Sequence, residues 1–533
     1  MGAQAIPRIA DRLLVWLLFL VRTYIIIWFV LPLSLVYEFA VAIRNRFVYT
    51  IGTALRAHAR KVAAIQKQVR QWATDDHGKK MHVVHDGWLR SYFRFPRKDV
   101  TPIYTGVLMD ILEINTGALT VRVEPLITMG ELSRILIPLG YCLPILPCLK
   151  DITVQEAING RGVDASGRKY GLLQHICLSY ELVMPDGSLV VASKDKNGEA
   201  ETQALFYGVP WSEGSLGILV AATLRIISVK PFVKLTYTPV HSAEEMQAKL
   251  IEESLCRENE FVEGLQFSRS AGVVLRGRFS EGPPRNWAAA NKIGRWYQRW
   301  FYVHAQAIAS TAKNSTSLGN PLLILDFEQE YTEFVPLRDF YHRHSKSLFW
   351  ELKDYVPFGN NFLFRWYFGW TCPPNMALID MLTPTVMKTL LEGNRVRQNI
   401  LVPMDHLTSA LDICSKEIEI YPLWLCPYNQ PSCPGMIRQR SGRNVLFVNV
   451  GVYGGERGLL PKSEDDPKHC IRRLESFARS VNGVAVVHEG TEMSRSEFWQ
   501  MFDSSLYEWL RVKYNCKEAF LDVYDKVRSL ACS

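Results

Sequence analysis

The sequence predicts an α+β protein of several domains, tied to a membrane by an N-terminal helix. Three observations support this prediction. Residues 13–37 are almost wholly apolar, short strands alternate with helices between Trp88 and Ile227, and strands and helices mix from residue 231 to about residue 490. A chain of 533 residues can form about two to four domains of ordinary size.

The predicted domains follow one another along the chain. They are a membrane anchor at 1–45, an amphipathic linker helix at 46–87, a first folded domain at 88–230, a second folded domain at 231–490 and a C-terminal helical segment at 491–533. Hydrophobic residues make up 48% of the chain and charged residues 21%, as in ordinary globular proteins. The net charge is only +8 and no RNA-binding or zinc-finger pattern occurs, so no nucleic-acid partner is expected.

The 11 cysteines form neither a disulfide framework nor a metal-site pattern. Their number is odd, no Cys-x-x-Cys occurs, and Cys426 and Cys433 have no histidine partners nearby. We therefore expect free thiols in a reducing compartment, and no metal.

The apolar run is long enough for a transmembrane helix, which needs about 20 residues. Arg22 interrupts the run and Pro32 can kink it, so the spanning part is placed at Thr23 to Ala42. A signal peptide would need a cleavage site that is not evident, and a buried core helix would explain the terminal Trp, Tyr and Arg less well. We therefore expect a single-pass anchor.

Basic residues are unequally distributed about this run. The upstream flank has Arg8 and Arg12, partly offset by Asp11, whereas the downstream flank is much richer in cations: Arg44, Arg46, Arg56, Arg60, Lys61, Lys67 and Arg70. The positive-inside rule places the C-terminal bulk in the cytosol. Residues 54–72 have a helical apolar period, which predicts an amphipathic helix between the membrane and the first domain.

The first folded domain has clear local signals. Residues 109–114 and 119–124 form a hairpin pattern around Thr116-Gly117, and residues 181–183 and 189–191 form another around Pro185-Asp186-Gly187-Ser188. Thr128, with Glu131 three residues later, predicts a capped helix that Gly140 ends. A strand is predicted at residues 222–227. Between the hairpins, residues 151–164 form a glycine-bearing loop.

The order of these segments resembles the FAD-binding domain of vanillyl-alcohol-oxidase-like flavoproteins. It is not a Rossmann site, because no GxGxxG follows the first strand. Longer motifs are similar to the delta(24)-sterol reductase (Diminuto-like) family over nearly the whole chain. These motifs include residues 108–113, 169–171, 174–176, 341–344, 349–352, 357–361, 424–427 and 497–503.

This resemblance implies a fold, a cofactor and a reaction. The fold is a two-part FAD-binding (PCMH-type) domain with an α/β substrate cap. The reaction is reduction of the delta-24 double bond of a sterol, with NADPH as electron donor, at the endoplasmic reticulum membrane. Thr153, Val154, Gly160 and Gly162 match the family's flavin contacts, and Gly214, Leu216 and Gly217 match a second flavin motif. The rest of the loop is expected to contribute mainly backbone groups: Ala157, Ile158, Asn159, Arg161, Val163, Asp164 and Ala165.

The loop departs from the family at Gln155-Glu156, where the family has two glycines. Side chains there limit backbone approach, and a carboxylate repels pyrophosphate. Either Glu156 turns away, or flavin affinity falls, or the loop is remodelled. The loop contains no cysteine or histidine, so a non-covalent flavin is expected.

The cap contributes a dense aromatic segment at residues 334–370, for which a sterol pocket, an aromatic core and a membrane contact are open alternatives. Alkene reduction needs a proton as well as a hydride, and Tyr341, His342 and His344 are the candidate donors in this segment. Glu351 and Lys353 are interpreted as a surface or ion-pair duo. Two alternative functions stay open: a degenerate, non-catalytic sterol- or flavin-binding scaffold, and an FAD-dependent oxidase of another alcohol.

Overall fold

The computed structural model describes most of the chain. The described residues are 9–51, 54–75, 78–84, 100–105, 108–195, 199–283, 291–311, 330–384, 395–437, 445–455, 467–487 and 490–531. The predicted start of the first folded domain, Trp88, lies outside them.

The first element among the described residues is a long helix, hereafter the N-terminal helix. It consists of α-helix Ile9–Ile25, a π-helical turn Ile26–Val30 and α-helix Leu31–Ile51. Its segment Leu17–Val48 is long and apolar enough to cross a membrane. The helix Ala54–Asp75 follows, as its period predicted, and buries Val62, Ile65 and Val69.

The predicted linker helix ends earlier than expected. Residues 80–84 form strand β1 (Lys80–Val84), which pairs in parallel with β2 (Val100–Tyr104). The helical prediction for 46–87 is therefore wrong at residues 80–84, because these residues are recruited into a tertiary strand pair.

The first folded domain contains an antiparallel sheet, to which five strands belong among the described residues, in the order β3-β4-β8-β6-β7. A short pair, β5 with β9, lies beside it. The bounds are β3 (Ile111–Asn115), β4 (Thr120–Val123), β5 (Tyr141–Cys142), β6 (Cys177–Val183), β7 (Leu189–Ser193), β8 (Ile218–Arg225) and β9 (Ile227–Ser228). Both predicted hairpins are confirmed by the pairs β3–β4 and β6–β7.

Helices connect these strands. They are Met129–Leu136, Val154–Glu156, Gly167–Tyr170, Leu173–Ile176 and Ala200–Gly208, with a 3₁₀ turn Ile137–Leu139 and a π-helical turn Ala157–Arg161. Thr128 accepts the Glu131 N–H, and Gly140 ends the first helix with φ +83°, so the predicted cap and stop are confirmed.

The second folded domain is built on a larger antiparallel sheet, in which the described residues place eight strands in the order β13-β10-β12-β11-β15-β16-β14-β17. The bounds are β10 (Phe232–Val240), β11 (Phe261–Ser268), β12 (Ala271–Ser280), β13 (Tyr331–Pro336), β14 (Arg395–Pro403), β15 (Leu423–Gln430), β16 (Val445–Gly455) and β17 (Val484–Ala485).

Helices pack on this sheet and continue to the C-terminus. They are Ala243–Leu255, Phe301–Thr311, Leu337–Tyr341, Leu352–Tyr355, Phe362–Phe368, Met376–Leu382, Leu407–Ile413, Pro467–Ser480, Arg495–Met501, Ser505–Lys513, Cys516–Ala519 and Val523–Ala531. The last four agree with the predicted helical segment. The cysteines of the described part of the chain are free thiols, as expected.

Candidate active site

The glycine-bearing loop begins with a capped helical turn. Thr153 Oγ1 accepts the Glu156 N–H at 3.3 Å, and Glu156 Oε2 accepts the Thr153 N–H at 2.9 Å, which together form a capping box. The Glu156 carboxylate also lies 3.7 Å from the Arg161 guanidinium. Glu156, which stands where the family has its second glycine, is therefore bonded to the start of its own helix and paired with a nearby cation. These two interactions explain how the loop accommodates a carboxylate at position 156.

Two glycines shape the rest of the loop. Gly160 has φ +109°, and a Cβ placed on it would lie 2.9 Å from the Trp211 ring. A Cβ on Gly162 would collide with the Ala157 carbonyl oxygen and lie 2.8 Å from the Leu173 Cβ. The loop thus packs against its neighbours by close backbone approach, which larger residues would prevent.

The two predicted flavin segments meet in space. Asn159 Oδ1 accepts the N–H of Glu213 at 3.2 Å, which ties the loop to the turn that contains Gly214, Leu216 and Gly217. Gly214 has φ +69° and Gly217 has φ +150°. Asn159 and Glu213, more than 50 positions apart in the sequence, are therefore neighbours in the fold.

The buried end of the loop carries an ionisable group. Ala157, Ile158, Val163 and Ala165 are buried, and so is Asp164. Burial raises the pKa of Asp164 to about 6, although the Arg343 charge and the Ser166 hydroxyl act in the opposite direction.

A cleft lies between this loop and the cap sheet. Gly160, Arg161 and Val163 line one side together with residues 147–152. The other side belongs to the cap: Ser345, Leu348, Phe349, Glu351, Arg397, Asn399, Trp424 and Tyr453. A roomier cavity of about 580 Å³ lies elsewhere, around His241, Arg269 and Asp412, but it contains none of the predicted site residues. The cleft is the candidate active site because it alone of the two joins the glycine loop to the cap.

The cap wall of the cleft combines aromatic rings with two polar pairs. Arg397 Nε donates to Glu351 Oε1 at 2.5 Å and its Nη2 donates to the Tyr355 hydroxyl at 3.0 Å. The Tyr453 hydroxyl donates to Asn399 Oδ1 at 2.7 Å, and the Tyr453 ring stacks on Phe349 with centroids 4.7 Å apart.

Glu351 is 8% exposed. Its interpretation as half of a surface duo with Lys353 is wrong, because its partner is Arg397 on β14.

Comparison with known proteins shows which family this chain resembles. An FAD binding domain family matches residues 67–193. The chain is 42% identical over 527 residues to "Delta(24)-sterol reductase homolog dhcr-24" of Caenorhabditis elegans, which covers 97% of this chain and 96% of that relative. It is 41% identical over 501 residues to the Homo sapiens delta(24)-sterol reductase (94% and 92% covered) and 30% identical over 532 residues to that of Arabidopsis thaliana (95% and 91%).

The chain belongs to the delta(24)-sterol reductase family. It is accordingly an FAD-dependent reductase, and the predicted family and fold class are confirmed. The matched residues 67–193 begin within the helix Ala54–Asp75 and end at β7, whereas β8 completes the sheet.

The loop fits the cofactor that the delta(24)-sterol reductase family implies. Its glycines leave no room for side chains, Gly160 and Arg161 line the cleft, and the cleft continues into the cap. Such a cradle suits a flat ring system held mainly by backbone groups.

The predicted proton donors lie behind the cleft wall. Tyr341 is buried beside Cys142, and burial raises its pKa well above the ordinary value. His342 Nε2 lies 2.6 Å from Ser133 Oγ, and burial lowers its pKa to about 3. His344 stacks on Phe349, with centroids 4.9 Å apart. Phe349 lines the cleft, whereas none of these three described side chains does.

Sequence reasoning missed the polar groups that do line it. Arg397 and Asn399 come from β14 and Tyr453 from β16, and these strands pair directly. Neither strand carries a recognisable motif of its own. The order of strands in the sheet brings these residues together at the cleft.

Proposed function

We propose that this protein reduces the delta-24 double bond of a sterol intermediate with electrons from NADPH. The observation that supports the proposal is the cleft, in which the glycine loop faces a cap wall that includes Leu348, Phe349, Trp424 and Tyr453. A rigid, largely apolar substrate suits these side chains, while the polar groups of the wall are bonded to one another in the pairs Arg397–Glu351 and Tyr453–Asn399. The relatives named above are delta(24)-sterol reductases from animals and a plant.

The residues proposed to hold FAD are the backbone groups of Thr153 to Ala165 together with Gly214, Leu216 and Gly217. When bound, FAD supplies hydride chemistry at its ring N5. The loop contributes position: the capping box and the Asn159–Glu213 bond hold its backbone in one conformation. A loop held in one conformation loses little entropy when it positions the cofactor for reaction.

A non-covalent flavin is part of the proposal. Cys148 is the cysteine among the described residues that line the cleft. Burial raises the pKa of its thiol far above the ordinary value, which the nearby Arg343 only partly offsets. A protonated, buried thiol is a poor nucleophile, so it is not expected to attach to the cofactor.

Saturation of an alkene also needs a proton at the second carbon, given by a group that contacts the substrate. Tyr341, His342 and His344 stay proposals for this role. Tyr453 is the proposal that the cleft geometry favours, since Tyr453 lines the cleft and its hydroxyl is oriented by Asn399, which also lines it. Arg397 and Glu351 neutralise each other beside it and keep that side of the cleft free of net charge.

The proposed location is the endoplasmic reticulum membrane, with the folded bulk on the cytosolic side. The apolar N-terminal helix supports attachment to a membrane, and the basic residues after it suit the anionic lipids of a cytosolic leaflet. The free thiols of the described residues fit a reducing compartment.

A spectroscopic titration tests the function. The full chain is purified in detergent, loaded with FAD and examined by visible absorption, first with NADPH under anaerobic conditions and then with a delta-24 sterol. A flavin band that NADPH bleaches and the sterol restores is expected. Absence of a flavin band contradicts the enzyme, a band that NADPH never bleaches favours a non-catalytic scaffold, and bleaching by an alcohol substrate favours an oxidase.

A further inference from the structure

The N-terminal helix is attached to the folded body along most of its length. Its buried positions recur in pairs: Arg22 and Thr23, Ile26 and Ile27, Val30 and Leu31, then Ser34. This spacing of about four residues marks one continuous helix face. We propose that the helix lies in the plane of one membrane leaflet instead of crossing the bilayer, a proposal that rests on the membrane attachment proposed above.

Polar contacts fix the first half of this face to the cap. Arg22 Nη2 donates to the Asp354 carbonyl at 2.8 Å, and its guanidinium lies over the Tyr355 ring, 4.9 Å from the centroid. The Thr23 hydroxyl donates to the Tyr355 carbonyl at 3.0 Å. Arg22, which interrupts the apolar run, therefore points into protein and not toward a lipid headgroup.

The second half is fixed to both folded domains. Ser34 Oγ accepts the Asn375 N–H at 2.9 Å. Glu38 pairs with Lys150 at 2.5 Å, Arg44 binds both carboxylate oxygens of Asp110, and Asn45 donates to Glu131 at 2.8 Å. From Arg22 to Asn45 the helix is about 35 Å long, which is the thickness of a bilayer core or slightly more.

A membrane crossing would conflict with these contacts. A helix that kept them would carry Asp110, Glu131 and Lys150 of the body to the depth of the hydrocarbon, where charged groups are strongly disfavoured. A helix that gave them up would expose Arg22, Ser34 and Asn45 to lipid. The in-plane position avoids both costs.

The opposite face of the helix is almost wholly apolar. Its exposed residues are Leu17, Val21, Tyr24, Trp28, Phe29, Pro32, Val36, Glu38, Phe39, Ala40, Ile43, Arg46 and Phe47. Two of them are charged, Glu38 and Arg46, and Glu38 is paired with Lys150 of the folded body. Trp28 and Phe39 are 61% and 67% exposed, which is unusual for such residues in water. An amphipathic helix with bulky aromatic side chains on one face is typical of insertion at the membrane interface.

The cap extends this surface beside the helix. Phe368 packs edge-on against Trp28, with centroids 6.3 Å apart, and belongs to helix Phe362–Phe368. Neighbouring side chains on and after that helix are exposed and apolar: Phe362, Leu363, Trp366, Tyr367 and Trp370. Helix and cap thus present one aromatic surface, which a lipid leaflet can cover and which a helix crossing the bilayer upright would leave in water.

Topology mapping in microsomes tests the in-plane position. The full chain is expressed with a glycosylation acceptor and an epitope tag before Met1 and a second tag after Ser533. An unglycosylated chain whose two tags are both digested by protease outside intact vesicles is expected. Glycosylation or protection of the N-terminal tag, with digestion of the C-terminal tag, overturns the proposal. Neither readout depends on catalysis, so a failure of the proposed reaction leaves it unaffected.

A vesicle assay tests the cap part of the surface. W366S and W370S together should weaken flotation of the full chain with phosphatidylcholine vesicles by about tenfold, because two exposed indoles no longer enter the interface. The control pair is W509S and V512S, exposed residues on helix Ser505–Lys513, for which unchanged flotation is expected. Equal flotation of both double variants and the parent chain overturns the assignment of this surface.

Discussion

Gly160 is a residue at which an added side chain would strain the loop both by backbone conformation and by contact. Its φ of +109° is unfavourable for other residues, and an added Cβ would press on Trp211. We expect Gly160→Ala to displace the loop, to lower the free energy of unfolding by about 1–3 kcal/mol and to reduce the flavin bound per chain. The absorbance ratio of flavin to protein after gel filtration measures the latter.

Gly140 offers a control for backbone strain. It also has a positive φ, of +83°, but nothing lies within 4 Å of a Cβ placed there. Gly140→Ala should cost stability and leave flavin content unchanged. Equal flavin loss in both variants would show that strain alone, and not the contact with Trp211, governs the loop.

Removal of the Tyr453 hydroxyl tests whether this group is the proton donor. Tyr453→Phe keeps the ring stacked on Phe349 and removes the hydroxyl that donates to Asn399. We expect sterol reduction to slow by about 10²–10⁴-fold, while reduction of the flavin by NADPH keeps its rate. Stopped-flow absorbance separates the two half-reactions.

Tyr428 is the matched control, a buried tyrosine on the adjacent strand β15 that does not line the cleft. Tyr428→Phe should leave both rates within about twofold, because its hydroxyl is remote from the cleft. If Tyr453→Phe behaves the same way, the donor is another group, and Tyr341, His342 and His344 are the next variants.

At the scale of elements, structures that depend on neighbouring residues could be predicted from the sequence, whereas contacts between distant segments could not. The Thr128 cap, the Gly140 stop and the hairpin β6–β7 depend on residues a few positions apart, and all were predicted. The strand Lys80–Val84 was not, because its partner begins 20 positions later, at Val100. Arg397 and Tyr453 pair across β14 and β16, a contact that only the sheet order creates.

The aromatic segment illustrates the same limit. The structure divides its residues among the core, the wall of the cleft and the surface. Tyr341 and Trp350 are buried in the core, Phe349 lines the cleft, and Trp366 and Tyr367 are exposed beside the N-terminal helix. Composition alone could not assign each residue to its environment, because aromatic side chains occur in all three.

The capping box at Thr153–Glu156 carries a prediction about the flavin loop. Glu156→Ala removes the carboxylate that accepts the Thr153 N–H, so the free energy of unfolding should fall by about 0.5–2 kcal/mol and flavin should bind less tightly. Glu497→Ala breaks the same motif at Ser494, far along the chain, and should cost stability alone. Tighter flavin binding by Glu156→Ala would mean that charge repulsion outweighs loop order.

The helix Pro467–Ser480 contains Glu475, a buried carboxyl with a raised pKa. Burial raises the pKa of Glu475 to about 7 from 4.5, although Thr491 and the Glu492 N–H donate to it. The folded state then binds a proton that the unfolded state has already lost, so stability should fall as pH rises from about 4.5 to 7.

Glu475→Gln should flatten this dependence and raise the free energy of unfolding above pH 7 by about 3 kcal/mol. Urea unfolding at several pH values measures it. Glu417→Gln, in an exposed pair with Arg473 of the same helix, is the control and should change stability by less than about 1 kcal/mol. An unchanged pH profile in Glu475→Gln would assign the decline to other groups.

At the scale of the whole molecule, the two N-terminal helices are attached to the flavin-binding part by a charge cluster. Arg44 and Lys61 both bind Asp110, and Lys61 and His58 both contact Glu124. Lys150 and Asp151 line the candidate active-site cleft and also a cavity of about 270 Å³ beside Tyr37 and Glu38 of the N-terminal helix. The N-terminal helix and the candidate active site are therefore neighbours, and the proposed in-plane position would give a lipid substrate a short path from the leaflet to the cleft.

Asp110 tests whether this attachment is held by charge. Its side chain is 1% exposed, and despite burial the hydrogen bonds from Arg44 and Lys61 lower its pKa. Asp110→Asn leaves two cations without their shared carboxylate, and because both are partly exposed the expected loss of unfolding free energy is about 1–3 kcal/mol. Trypsin should then cleave near residues 44–61 faster than in the parent chain. Asp412→Asn, in an exposed pair with Lys416, should change neither quantity. If Asp110→Asn matches that control, apolar packing of the helices, and not the charge cluster, holds the membrane-binding segment on the enzyme.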